Sequence, residues 1–587
     1  MLRALFILAL FLVSSLPRSP RANRPPAESW EPDSVPDAFS RPAAALMWPG
    51  ATRAFLVEPD GCFYNGIWRV DVAATADGRR AAPPRRIAYE GRWRPIAHWT
   101  QRAGDVRWDF EAVALPAPED AFAAWTRDIS DGLALRADRG ARAAWRRSLT
   151  ADERDRVDRP SGASSRLARP AGEPVPLVVS VLATARNTGP LAAHATLDLA
   201  LAPAGAAEPW YEDGPHRAPP SWGWCAPGVD SALGWCEQAA EGGASRAEAR
   251  LAPGAAWSVH FVLASHPLPA GRLAGWARIA HPARAREARD WWAKEVSRGA
   301  RFDLGDPEVE DAMRAARVVL LSCREHRGGY WVPLDGPFQS RDAWPREGAR
   351  TIAALAAHGY TSEAHDLSES FFEWRTPQRP FGDGTADLAT WAMRAGLHAG
   401  AETTLDALLA RRNASGGACE PFTRGVNLPP QACSAAALLL LVRNSLVDDD
   451  GERLALTRAA RPRWWRGARI DLAPTRWGRV SMAFERADGQ AHWRWTRVPV
   501  WTELVLPPGT RLAAEPPAPL VRGPRADVVL APPGASEARV DIVPAPLVRG
   551  APAPAGAVAS AVTTPAGWSR GKAKGPLAPK RPSPLPG

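Results

Sequence analysis

The sequence predicts a multidomain α+β protein: an N-terminal antiparallel β-sandwich, an incomplete (α/α) toroid of about three helical hairpins, and a small C-terminal β cap. Three observations predict it. Short apolar runs with period-two alternation, bounded by Gly, Pro, Asp or Asn, fill residues 45–282. Near Ala283 the apolar period becomes that of helices, and from Leu454 strands return. At 587 residues the chain has room for about two to four units, each able to bury its own core.

The elements follow in order. Met1 to Leu16 carries Arg3 and then one apolar run, Ala4 to Val13, too short to span a bilayer and of the length of a secretory h-region. Ser14 and Ser15 suit its end, so residues 1–22 read as a signal peptide, with an uncleaved anchor as the alternative; a secreted or periplasmic location follows. Residues 23–44, rich in Pro, Arg and Ala, read as a disordered linker. In the sandwich, strands are expected over Gly66–Val72, Val106–Val113, Leu177–Ala185, Ala195–Leu201 and Ala256–Leu263. Many antiparallel strands without intervening helices imply two packed sheets.

Residues 283–447 are expected to be the helical half-barrel. A linking helix covers Ala283–Val296. Asp306 then caps a helix whose first residue is Pro307, with Val309, Met313, Ala316 and Leu320 on one face. A second helix runs from Trp344 to His358 with Ala349, Ile352, Ala353 and Ala356 inward, and Gly359 ends it. A third places Ala364, Leu367, Phe371 and Trp374 on one stripe. The fourth covers Ala386–Ala399, the fifth Thr403–Arg412 and the sixth Pro430–Leu446. Residues 448–546 form the cap, with strands at Ala468–Ala473, Arg479–Arg486, His492–Trp495, Trp501–Leu506 and Ala526–Leu530, and a hairpin turn at Ala487-Asp488-Gly489. Residues 547–587 have no sustained apolar period and read as a disordered basic tail.

The formal charge of +10 suggests nucleic acid until it is located. Arg3, Arg18, Arg21 and Arg24 near the start, and Arg570, Lys572, Lys574, Lys580 and Arg581 near the end, carry nine positive charges with no acid among them. The folded body is nearly neutral, which excludes a duplex-binding stripe. No membrane partner is implied beyond the N-terminal segment. Six cysteines are few for a disulfide-built fold. Cys225 and Cys236 flank a short loop and form either a disulfide or two half-buried thiols. No cysteine pair has zinc spacing, so neither a metal nor a cofactor is implied.

The chemistry-bearing stretch is Phe338-Gln339-Ser340-Arg341-Asp342-Ala343-Trp344-Pro345-Arg346-Glu347-Gly348-Ala349-Arg350. An indole covers a pyranose face, while carboxylates and guanidiniums hydrogen-bond hydroxyls, so the stretch equips a sugar-binding pocket.

The order sandwich, helical barrel, cap resembles the six-hairpin glycosidases, which include glucoamylases, trehalases and glycogen-debranching enzymes. Trp344 to Arg350 resembles the family's Trp-x-Arg-Asp-Gly element, whose aspartate binds the sugar in the cleaved subsite; Glu347 stands in its place, one methylene longer. Asp383-Gly384-Thr385-Ala386-Asp387-Leu388-Ala389-Thr390-Trp391 resembles the family's Asp-Gly helix start. Ala418-Cys419-Glu420-Pro421 with Gln431 to Leu438 resembles the loop and helix that carry the general base. The resemblance covers residues 45–545 and implies Glu420 as the base. It also implies Trp344, Arg346, Glu347, Asp342, Asp383, Asp387 and Trp391 as saccharide-binding residues, with an oligo- or polysaccharide partner. Trp344, Arg346, Glu347, Asp387 and Glu420 are expected to line one cavity.

The departure is the helix count. The family barrel has twelve helices against six here, and the missing portion falls near Gly400, where the family carries its general acid. Inverting hydrolysis needs an acid and a base about 6.5–9.5 Å apart. With no acid identifiable, the expectation is a glycoside-hydrolase-like protein of weak or absent turnover. The alternatives are a non-catalytic saccharide-binding or envelope scaffold protein, and a polysaccharide lyase using Arg324, His326 and Tyr330.

Overall fold

The computed structural model describes residues 44–51, 54–65, 69–117, 176–202, 223–225, 231–237, 240–241, 244–327, 330–336, 345–373, 405–406, 409, 431–449 and 451–545. The signal-peptide and tail expectations and the linker through residue 43 lie outside them, as do the helices expected at Ala386–Ala399 and most of Thr403–Arg412; Ala44, expected as the end of the linker, instead opens a buried strand.

The N-terminal sandwich forms as the alternation predicts. Its first sheet has eight strands, with Arg69–Ala76 and Ala193–Ala202 antiparallel at its centre and Leu197 opposite Ala74. Its second has seven, built around Val106–Pro116, Leu177–Asn187 and the long strand Ala256–Pro269. Along Arg69–Ala76 every second side chain is buried, as a strand with one face on a core requires. The inner faces meet through aromatics. Phe63 of the first sheet lies edge-on to Trp99 and Phe261 of the second, 5.9 and 6.1 Å between ring centroids, and Trp99 stacks on Phe110 at 4.9 Å. Cys225 and Cys236 are free thiols.

Six helices are described: α1 (Ala270–Ala277), α2 (His281–Ser297), α3 (Pro307–Ser322), α4 (Pro345–Ala357), α5 (Thr361–Glu373) and α6 (Ala432–Leu446). α2 covers the outer face of the second sheet. α6 packs on α3 and α4, and α4 on α5. α4 ends in a Schellman motif: Tyr360 N donates to Leu355 O at 2.9 Å and Gly359 N to Ala356 O at 3.1 Å, with Gly359 at φ 89°. The expected inward stripe of α4 holds in part: Ile352 and Ala356 are partly buried against the core, whereas Ala349 is exposed. Ala353 is exposed, and the buried positions are Gly348, Thr351, Ala354 and Leu355. The end of α4 is tied by buried polar groups. Buried His358 receives a bond from Arg317 at Nδ1 (3.3 Å) and donates from Nε2 to Leu439 O (3.0 Å). Arg317 also reaches Ala300 O at 2.6 Å and Val296 O at 3.2 Å.

The C-terminal part is two sheets. The six-stranded one holds the strands Arg466–Thr475, Gly478–Ala487, Gln490–Trp495 and Glu537–Pro544, and takes Arg301–Asp303 from before α3 as its edge. The five-stranded one is centred on Leu454–Leu456 and Thr502–Val505. The Ala487–Gln490 turn has Asp488 at φ 49° and Gly489 at φ 73°, the geometry of a two-residue primed turn.

The helical toroid is overturned. Strands hold 46% of the described residues and helices 25%, in several antiparallel sheets with six helices. The described helices are interleaved with the sheets: α3 touches the sandwich strand Arg94–Ala103, and α4 touches the cap strand Arg466–Thr475. The buried side chains form one cluster from Ala44 to Ile542, to which helices and sheets both contribute.

Candidate functional site

The first turns of α4 and α6 lie together. Pro345 opens α4, where its missing N–H costs nothing, and Glu347 sits in the first turn, where the helix dipole favours an anion. α6 has no side-chain cap of its own at Gln431. Asp335, just past the strand Tyr330–Pro333, caps it from outside: its carbonyl accepts from Ala432 N at 2.7 Å and its Oδ1 from Cys433 N at 3.2 Å. Arg350, one turn into α4, directs NH1 at Cys433 Sγ, 3.5 Å away. The result is a half-buried set of two carboxylates and one guanidinium around a thiol.

Burial, with Asp335 and Glu347 adding to it and Arg350 opposing, pushes the Cys433 thiol up to about 11. It is a neutral thiol at physiological pH and no nucleophile. Glu347, Asp335 and Arg350 supply acceptors and a planar donor fork, the pattern that reads sugar hydroxyls. Among the described residues, no three His, Cys, Asp or Glu side chains converge to hold a metal ion.

Of the residues expected from sequence, Glu347 is at this site and Arg346 is the second residue of α4. The Arg346 side chain and Trp344, Asp342, Asp383, Asp387, Trp391 and Glu420 lie outside the described residues. Asp335 was missed: its cap joins residues 98 positions apart, which no local pattern reveals. The lyase set is part of a two-stranded hairpin. There Arg324 lies over Trp331, 5.0 Å from the ring centroid, and donates to Leu321 O at 2.9 Å. Burial lowers its guanidinium against the opposing pull of Glu363 and Asp366, so Arg324 is engaged in packing the hairpin against α5. The side chains of His326 and Tyr330 lie outside the described residues. Among those residues, no helix is long and apolar enough to cross a membrane.

No family model matches the chain, and no curated protein matches it.

Proposed function

We propose that the chain is an exported carbohydrate-active protein that holds an oligo- or polysaccharide at the shared start of α4 and α6, with local motifs related to the six-hairpin glycosidases and with hydrolysis weak or lost. The observation that carries this reading is the meeting of two of the three quoted stretches. The Trp344–Arg350 and Gln431–Leu438 segments are brought within 3.5 Å at Arg350 and Cys433, 83 positions apart in sequence. That juxtaposition groups Glu347, Arg350 and Asp335 where hydroxyls can be bound from several directions. Glu347 and Arg350 bind the sugar, and Glu420 is the proposed base. An inverting reaction would also need an acid, and without it only leaving groups that depart unprotonated turn over.

The test is calorimetry of the purified protein against a panel of neutral and acidic oligosaccharides, with aryl glycosides assayed in parallel. Binding that weakens by about tenfold or more in Glu347→Gln is expected, as for loss of a charge-assisted hydrogen bond. Weak aryl-glycoside turnover abolished by Glu420→Gln would assign the base. Binding without turnover would leave a saccharide-binding protein, and no binding of any saccharide overturns the reading.

A further inference from the structure

The outer face of the second sandwich sheet, far in sequence from the site above, buries a chain of titratable groups under the first turn of α2. In register across four strands lie His98, Glu111, Leu182 and His260, with Ser180 two positions from Leu182 on the same face. Ser180 Oγ is 2.8 Å from His260 Nε2 and 2.9 Å from His281 Nδ1, His281 being the first residue of α2. His281 Nε2 faces Glu111 Oε1 at 3.4 Å. Ser180 is fully buried, and His281 and His260 are 2% and 9% exposed, so no water replaces a lost partner cheaply.

Charged neighbours close the cluster. Arg289 of α2 donates to Glu90 (2.6 Å) and Glu111 (3.0 Å); Arg94 donates to Glu90 at 3.2 Å. His98 lies 3.7 Å from Glu90 and 3.9 Å from Glu111. On the far side Glu237 accepts from His260 N at 3.4 Å, and Trp235 packs edge-on to the His260 ring.

Counting protons fixes what this arrangement tolerates. One hydroxyl has one hydrogen, and it must serve two rings. With both rings neutral, His260 Nε2–H donates to Ser180, Ser180 donates to His281 Nδ1, and His281 Nε2–H points at Glu111. A proton added to His281 reverses the row without breaking it: His281 Nδ1–H donates to Ser180, whose hydroxyl turns to an unprotonated His260 Nε2. A second proton on His260 leaves the hydroxyl with no acceptor and sets two cations with ring centroids 6.0 Å apart.

We propose that Ser180, His260, His281 and Glu111 form a pH-sensitive latch that fastens α2 to the sandwich, closed with no proton or one proton on its two histidines and opened by the second. Burial first, and then His281, hold His260 down to about 4, while its ordinary value is 6.5. Glu111 is held below the usual carboxylate range by His281, against the effect of burial. His260 is depressed in the folded state. The latch therefore contributes in full above about pH 6.5, and its contribution is lost as pH falls toward 4.

The experiment is hydrogen exchange on the full chain from about pH 7 to about pH 3.5, corrected for intrinsic rates, following amides of α2 and, as control, the cap strand Gly478–Ala487. A drop of about tenfold or more in α2 protection at the acid end, with the control unchanged, is expected. In His260→Gln, whose amide bonds Ser180 but does not titrate, α2 protection should persist. Unchanged α2 protection, loss in both segments together, or loss at the same pH in His260→Gln overturns the latch. If that variant does not fold, selective histidine NMR of the parent chain decides: His260 titrating near the ordinary histidine value refutes the proposal, and titration near 4 sustains it.

Discussion

Arg317 is almost wholly buried, yet it carries a charge, because three acceptors meet it: the carbonyls of Val296 and Ala300 and the Nδ1 of His358. Arg317→Leu takes the donor from Ala300 O and His358 Nδ1, while Val296 O keeps the Tyr360 hydroxyl at 2.9 Å, and the expected cost is about 3–5 kcal/mol in urea unfolding. His358 beside it is pushed far below its ordinary value, first by burial and then by Arg317, so it stays neutral while the unfolded chain takes up a proton. With His260 depressed in the same direction, stability is expected to fall as pH drops below about 6.5, by about 1.4 kcal/mol per pH unit for each ring. Urea midpoints at about pH 6 and pH 5 measure this, and His358→Gln should remove about half the slope. The Cys433 thiol, raised by about two units, should react with iodoacetamide about 100-fold more slowly than an open cysteine at the same pH. At this scale the sequence displayed Glu347 as an acid at a helix start, since that depends on neighbours along the chain. It concealed the partners of Arg317, which come from two loops and a helix end, and it concealed Asp335.

Helices and strands were legible where an alternating or sustained apolar run marks them. Arg69–Ala76, Val106–Pro116, Leu177–Asn187 and α6 all fall on the apolar runs that announced them. α4 was located with its inward face only half identified, because Thr351 counts as polar in any periodicity yet is buried, while Ala349 and Ala353 are apolar and exposed. α1 was not expected: Ala270–Ala277 directly follows a long strand, and Pro269 and Gly271 at the junction mark the end of that strand without announcing a helix. The trans cap of α6 is an element-scale device with its own test. Asp335→Ala removes the acceptor of Cys433 N, and a loss of about 1 kcal/mol is expected, with Asp335→Asn recovering most of it. If Asp335 also belongs to the proposed saccharide site, the alanine variant should weaken oligosaccharide binding by more than the asparagine variant does, under conditions where both are folded.

At the scale of the molecule, the toroid was expected from six helical patterns read as a sequence of hairpins, and the order of the parts concealed how they interlock. The helical part shares elements with the C-terminal sheets. Arg301–Asp303, which precedes α3, is the edge strand of the six-stranded sheet beside Arg466–Thr475. Asp306, at the start of α3, is buried and accepts from Trp464 Nε1 at 3.0 Å, while Arg463 pairs with it at 2.6 Å. α4 rests on the same sheet. A chain cut after Asp448 would therefore leave Asp306 without either partner and uncover the apolar end of α6 at Leu441, Val442 and Leu446. The helical part and the C-terminal sheets should accordingly unfold together, in one urea transition seen alike by tryptophan fluorescence and far-ultraviolet dichroism. The shortened chain should bind an apolar dye and aggregate. Separate transitions for the two parts, or a soluble shortened chain with native dichroism, would show that the cap is an independent domain after all. In that event the continuous core from Ala44 to Ile542 would carry no cooperative energy across the boundary.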